Sequence, residues 1–157
     1  MSARVLVVGG AGYIGSVCAA VLQQTGFEVV TFDDLSTGHI EAVQGPFIQG
    51  DIRDRDHLRR VLTDGSFDAV MHFAAKSLVG ESVSNPLRYY DVNMGGTASL
   101  TQAMQDANVQ CLVFSSTCAI YGNPTYLPLD ESHPQNPVSP YGASKKMVEE
   151  MLAACRA

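Results

Sequence analysis

A chain of 157 residues, 46% hydrophobic and 17% charged, has the length of one domain and can bury roughly two-thirds of the surface its unfolded form exposes. Its formal net charge of -6 argues for a soluble globular protein and against a polyanion binder, so nucleic acid is not an expected partner. No apolar run reaches the roughly 18 residues of a membrane span, and "VLVV" is shorter than a signal-peptide core of roughly 7–15, so a cytoplasmic protein without a membrane partner is expected.

Short apolar segments rich in Val, Ile and Phe recur at Arg4–Val8, Glu28–Phe32, Phe47–Gln49, Ala69–Phe73 and Cys111–Ser115. Each is too short for a typical helix, and longer stretches with helical spacing lie between most of them. Strands that are apolar on both faces belong to a sheet covered on both sides, and strand-helix alternation makes it parallel. The expected fold class is therefore α/β, a doubly wound parallel sheet. Tyr13 to Gln24 reads as the first helix, Asn85-Pro86 opens one running to about Ala107, and Ser139-Pro140 opens a last one running to the end of the chain. In that last helix Met147, Val148, Met151 and Leu152 form an apolar stripe expected to serve packing. Thr117 to Val138 carries Pro124, Pro128, Pro134 and Pro137 and reads as a long loop, of the kind that usually has a function.

Cys18, Cys111, Cys118 and Cys155 form no C-x-x-C pair and read as small, reduced apolar residues. His39, His57, His72 and His133 are scattered, and no metal is expected.

"VVGGAGYIG" ends the first strand and opens the first helix, with glycines readable as Gly10-x-Gly12-x-x-Gly15 or Gly9-x-x-Gly12-x-x-Gly15. Glycines allow a tight turn and close approach of a pyrophosphate, and the helix N-terminus offers amide donors. An ordinary β-α turn would explain the glycines alone. Asp33, closing the next strand 18 residues after Gly15, adds the carboxylate that accepts from a ribose hydroxyl and repels a 2′-phosphate. The pattern points to NAD as cofactor. Asp34 stands next to it as a second candidate, with helix or turn capping the role left for whichever does not face the ribose. Asp51, after the third strand, reads equally as an adenine contact or as a helix N-cap.

Tyr141 and Lys145 in "SPYGASKK" are spaced i, i+4 and share one face of the last helix. A nearby cation favours a phenolate, which makes such a tyrosine a usable base. A solvated helix pair is the ordinary explanation of that spacing, and the cofactor loop upstream decides against it.

Four motifs in order, "GGAGYIG", "GDI" at Gly50–Ile52, "HFAAKSLVGES" at His72–Ser82 and "YGASK" at Tyr141–Lys145, resemble the extended short-chain dehydrogenase/reductases. "SLVGESVSNPLRYYDVN" and "FSSTCAIYGNP" resemble, more narrowly, the UDP-glucose 4-epimerase (UDP-galactose 4-epimerase) family. The resemblance covers essentially the whole chain as one NAD-binding domain, residues 1–157, of the Rossmann type. It implies NAD contacts from Gly9, Gly12, Tyr13, Ile14, Gly15, Asp33 and its turn with Asp34, Asp51, Ile52, Phe73, Ala74, Ala75 and Asn93, and from Tyr141 and Lys145. A lysine contact common in the family has Lys76, followed by Ser77, near its position. For Asn93 a polar helix residue satisfied by backbone is an equal reading.

The resemblance also implies a mechanism. Tyr141 takes the proton of the sugar 4′-hydroxyl while C4′ gives a hydride to NAD, and the 4-ketosugar turns over and takes the hydride back on its other face. Thr117 orients the oxygen, or in its place Ser115 or Ser116, and Lys145 tunes Tyr141. A dehydratase of the same fold would resemble Thr-Asp-Glu where this chain has Thr117, Cys118 and Ala119. A nucleotide-sugar reductase shares the tyrosine, the lysine and the cofactor, and a non-catalytic NAD-binding module is compatible with the same motifs. The family's UDP-sugar-binding C-terminal portion and a sixth strand are not in the sequence, so little or no turnover is expected of this chain alone. A homodimer through the helices at about 86–107 and 140–154 is the partner the resemblance implies.

Overall fold

The apolar runs form five strands in the computed structural model, which describes residues 2–155: β1 (Arg4–Val8), β2 (Glu28–Asp33), β3 (Phe47–Gln49), β4 (Ala69–His72) and β5 (Cys111–Phe114). The final two residues of the expected last helix lie outside the described residues. All pairings are parallel and the order is β3-β2-β1-β4-β5. Val8 stands between Phe32 on β2 and His72 on β4, so three strands end level. Chain connections leave β1 in opposite directions across the sheet, and the carboxyl end of β1 is therefore the switch point where ligands of open α/β sheets bind.

The helices are α1 (Tyr13–Gln24), α2 (Arg55–Gly65), α3 (Val79–Ser84), α4 (Pro86–Tyr89), α5 (Gly96–Asp106) and α6 (Pro140–Cys155). Two compact units emerge. One holds the sheet with α1, α2 and α5, residues up to Ala74 and Gly96–Ser115; the other holds Ala75–Gly95 and the residues from Ser116 onward.

In the sheet unit the strands are apolar on both faces for the reason their sequence suggests. Leu6, Val8, Val30 and Phe32 turn to one side, where they join Leu58 and Leu62 of α2 and Leu100, Ala103 and Met104 of α5. Val5, Val7 and Val29 turn to the other, against Ala19 and Leu22 of α1. Burying a Leu or Val of this kind is worth about 1.5–3 kcal/mol each, which is what holds the strand ends in place beneath the loops they carry.

In the second unit α6 packs on α3, α4, a π-helical segment at Tyr90–Gly95 and a 3-10 turn at Cys118–Ile120. Its start follows from Ser139-Pro140: the Ser139 hydroxyl accepts Gly142 N–H at 3.1 Å, and Pro140 takes the first helical position.

Several expectations need correction. The helix expected from Pro86 to Ala107 is interrupted by the π-helical segment, preceded by the separate α3, and not capped by the Asn85 side chain. Of the α6 stripe Val148 is buried, while Met147 is 42% exposed and Met151 and Leu152 are half-buried, because the helix turns Gly142, Ser144 and Lys145 inward instead. Cys111, Cys118 and Cys155 are exposed, so apolar packing does not describe them; Cys18 is half-buried. The loop after Thr117 is organised around His133, 3% exposed, whose Nδ1–H donates to Pro134 O while Nε2 accepts Thr125 N–H.

Candidate functional site

The glycine loop of the sheet unit is shaped by contacts of its own. Gly9 has φ +80° and runs so close to Ala74 that a Cβ would lie 2.3 Å from its nitrogen; at Gly15 a Cβ would meet Gly9 O at 2.2 Å. Gly12 differs. A Cβ there meets nothing nearer than Gly9 O at 3.4 Å, so the fold itself does not require glycine at the position that opens α1. No side chain caps this helix, and Tyr13 and Ile14 in its first turn are 88% and 60% exposed. Uncapped amides beside exposed apolar side chains suit a phosphate with an organic group attached.

Asp33 is buried at the end of β2. Its Oδ2 accepts Ala11 N–H at 3.0 Å and Oδ1 accepts Leu35 N–H at 2.8 Å, so one carboxylate fixes the glycine loop and the turn after β2. Asp34 is exposed and caps that turn, its Oδ1 accepting Ser36 N–H at 2.8 Å. Both aspartates thus cap the turn after β2, Asp33 from the buried strand end and Asp34 from the exposed side. The N-cap role considered for Asp51 belongs to Asp54, which accepts His57 N–H at 2.9 Å; Asp51 instead accepts from the Arg53 amide and guanidinium. Ile52 is 7% exposed and packs in the core, where a Cβ on Gly96 would touch it. Phe73 and Ala74 both donate their N–H to Val8 O, at 2.7 and 3.1 Å, which draws the end of β4 to the glycine loop.

In the second unit, Tyr141 and Lys145 lie one turn apart on α6. Tyr141 is half-buried, its ring edge-on to Tyr89 at 6.4 Å. Tyr89 is itself wholly buried and donates to Leu78 O and Glu81; burial and that carboxylate push its phenol up. Lys145 is 3% exposed, and burial lowers its pKa to about 8 against the opposing pull of Glu149. Thr117 Oγ1 accepts Ala119 N–H at 3.2 Å, a bond that leaves the hydroxyl hydrogen to be donated. Ser116, weighed in place of Thr117, is engaged: its hydroxyl donates to Glu149.

Asn93 is 2% exposed in the π-helical segment. Its Oδ1 accepts Lys76 N–H at 2.8 Å, and its Nδ2 donates to Lys76 O and to Ser144 Oγ, both at 3.0 Å. The backbone-satisfied reading therefore holds in part, with a side-chain link to α6 added. A π-bulge often marks a functional position, and here it aims an amide at two segments at once. Ala75, before Lys76, is half-buried.

Sequence reasoning missed Tyr89, Ser144 and Glu149. Ser144 and Glu149 sit at i+3 and i+8 from Tyr141 on α6, spacings that share its helix face and could have drawn attention. Among the described residues no group of His, Cys, Asp and Glu could hold a metal ion, and no helix is long and apolar enough to cross a membrane.

Comparison with known proteins bears on this geometry. Residues 5–157 match the model of the NAD dependent epimerase/dehydratase family. The chain belongs to this family. It is 53% identical over 152 residues to the UDP-glucose 4-epimerase of Lactobacillus helveticus, an alignment covering 96% of this chain and 46% of that protein. The crystal structure of UDP-glucose 4-epimerase from Brucella ovis in complex with NAD superposes with a TM-score of 0.96 at 48% identity, over 98% of this chain and 47% of that one. The UDP-Glc/GlcNAc 4-epimerase of Campylobacter jejuni does so at 0.94 and 36%, over 98% and 49%. The chain thus spans about half the length of the relatives it matches. The fold is the Rossmann-type parallel sheet shared with these epimerases.

Proposed function

We propose that this chain provides the NAD-binding and proton-transfer parts of a UDP-hexose 4-epimerase that interconverts UDP-glucose and UDP-galactose. The observation that carries the reading is the Tyr141–Lys145 pair on the capped α6, with Lys145 buried, in a chain about half identical to UDP-glucose 4-epimerases.

The residues present fit NAD. In the sheet unit Gly12 is free of any packing demand, the amides that open α1 lack a side-chain cap, and the Asp33 carboxylate retains lone pairs for a ribose hydroxyl. Gly9, Gly15, Tyr13, Ile14, Asp34, Asp51, Ile52, Phe73 and Ala74 complete the proposed set there. In the second unit Ala75, Asn93, Tyr141 and Lys145 are the proposed contacts. When bound, NAD supplies the acceptor and later the donor of the hydride at the sugar's C4′. Tyr141 takes the 4′-hydroxyl proton and returns it. Lys145 contributes positive charge that favours the phenolate, and Thr117 donates a hydrogen bond to the reacting oxygen. Cys118 and Ala119 put no carboxylate beside Thr117, which favours epimerisation over dehydration.

The same proposal includes a cytoplasmic setting and a homodimer through the segments at about 86–107 and 140–154. Leu87 at 79% and Met147 at 42% exposure supply apolar surface for the dimer. Turnover is proposed to need the remaining length of the relatives, so the chain alone is expected to bind NAD with little or no activity.

The test is Tyr141→Phe in a protein of the relatives' length carrying this chain. NAD should stay bound and interconversion should fall by at least about 100-fold, the scale of a lost proton-transfer group. Retained turnover would overturn the assignment. Interconversion by the 157-residue chain alone would overturn the need for more.

A further inference from the structure

Glu149 has no role in the mechanism above, yet two side chains of the second unit hydrogen-bond to it. One carboxylate oxygen accepts the Ser116 hydroxyl and the other accepts Gln135 Nε2–H at 3.0 Å. Ser116 directly precedes Thr117, and Gln135 lies in the loop that His133 organises. The same carboxylate, one turn beyond Lys145, opposes the loss of the lysine's proton. A charged acceptor makes these hydrogen bonds roughly twice as strong as neutral ones.

We propose that Glu149 is a positioning residue for the Tyr141–Lys145 pair: its carboxylate pins the segment leading into Thr117 onto α6 and supplies the counter-charge for the Lys145 ammonium. The proposal rests on the reading of Tyr141, Lys145 and Thr117 as the reacting set.

The elements packed on α6 bring further titratable groups, Glu81, Arg88, Tyr89, Tyr90, Asp91, Cys118 and Tyr121. Glu81 is engaged by the Arg88 guanidinium at 2.8 Å and by the Tyr89 hydroxyl at 2.9 Å. Lys146, next along α6, donates to Gln135 O at 3.0 Å and lies 3.8 Å from Glu150. Burial lowers the Lys145 proton affinity and Glu149 opposes that shift.

The chain itself serves for the test, with labelled lysine side chains followed by NMR across pH 6–11 and Lys145 assigned through Lys145→Arg. Glu149→Gln keeps the shape and can still accept from Ser116, but removes the charge. It should lower the Lys145 midpoint by about one pH unit, the lower end of the effect of an opposite charge at close range. Glu149→Asp should restore part of it. An unmoved midpoint in Glu149→Gln overturns the counter-charge role. Ser116→Ala spares the carboxylate: the amide resonance of Ala119, which donates to Thr117 Oγ1 at 3.2 Å, should shift while the Lys145 midpoint stays, and an unmoved Ala119 resonance overturns the pinning role. Neither readout needs turnover, so failed NAD binding or activity would count against the proposed function and leave this result standing.

Discussion

Asn93 donates to Ser144 Oγ at 3.0 Å, and Ser144 in turn donates to Tyr141 O at 2.7 Å, so the amide in the π-helical segment is linked to the backbone of the proposed base. The same amide closes both backbone groups of Lys76. Asn93→Ala removes these hydrogen bonds in a part-buried setting, and a loss of about 1–3 kcal/mol in denaturant unfolding is expected. A change within about 0.5 kcal/mol would mean that water replaces the amide at no penalty.

The glycines of the first loop separate packing from binding. Gly15→Ala forces a methyl against Gly9 O and should destabilise the chain by about 3 kcal/mol or more. Gly12→Ala should leave the thermal midpoint nearly unchanged yet weaken NAD binding at least about tenfold, because the methyl occupies the approach of the phosphates. Parallel melting curves and NAD titrations distinguish the two. Equal destabilisation by both variants would remove the ligand reason for Gly12.

Lys145 gives a pH dependence with a defined sign. Burial lowers its pKa from 10.5 to about 8. Between those values the unfolded chain binds more protons than the folded one, so this group makes stability rise with pH across that window; below about 8 the penalty of the buried charge is fully present. Lys145→Met should abolish the rise. Comparing denaturant midpoints at about pH 7 and about pH 9.5, the original chain should gain about 2 kcal/mol on the variant. A constant difference would contradict the burial of a charged lysine.

The loop from Gly122 to Val138 should depend on His133. Replacing it by alanine removes the acceptor for Thr125 N–H and the donor to Pro134 O, and the rings of Tyr121 and Tyr126 lose their packing partner. Limited proteolysis should then cut this loop several times faster with little change in global unfolding. Unchanged cleavage would show that the prolines alone order it.

What the residues made legible, and what they did not, follows from the range of the interactions. β1, β2 and β4 could be placed because Val-rich runs buried on both faces have few competing conformations, and α6 because Ser139-Pro140 is a local start signal that the structure uses. The break at Tyr90–Gly95 was hidden, since the bulge is stabilised by Asn93 reaching Lys76, 17 positions away. The N-cap reading offered for Asp51 misses for a local reason: several aspartates crowd residues 51–56, and the helix starts at Arg55 with Asp54 as its cap. Glu149 was missed because its contacts with Ser116 and Gln135 depend on tertiary packing.

That the sheet unit and α6 belong to an NAD-dependent sugar-nucleotide enzyme is tested most directly by a calorimetric titration of the chain with NAD and with NADP. Saturable binding of one NAD per chain is expected, with NADP at least about tenfold weaker because Asp33 opposes a 2′-phosphate. No saturable binding of NAD, or tighter binding of NADP, would contradict it.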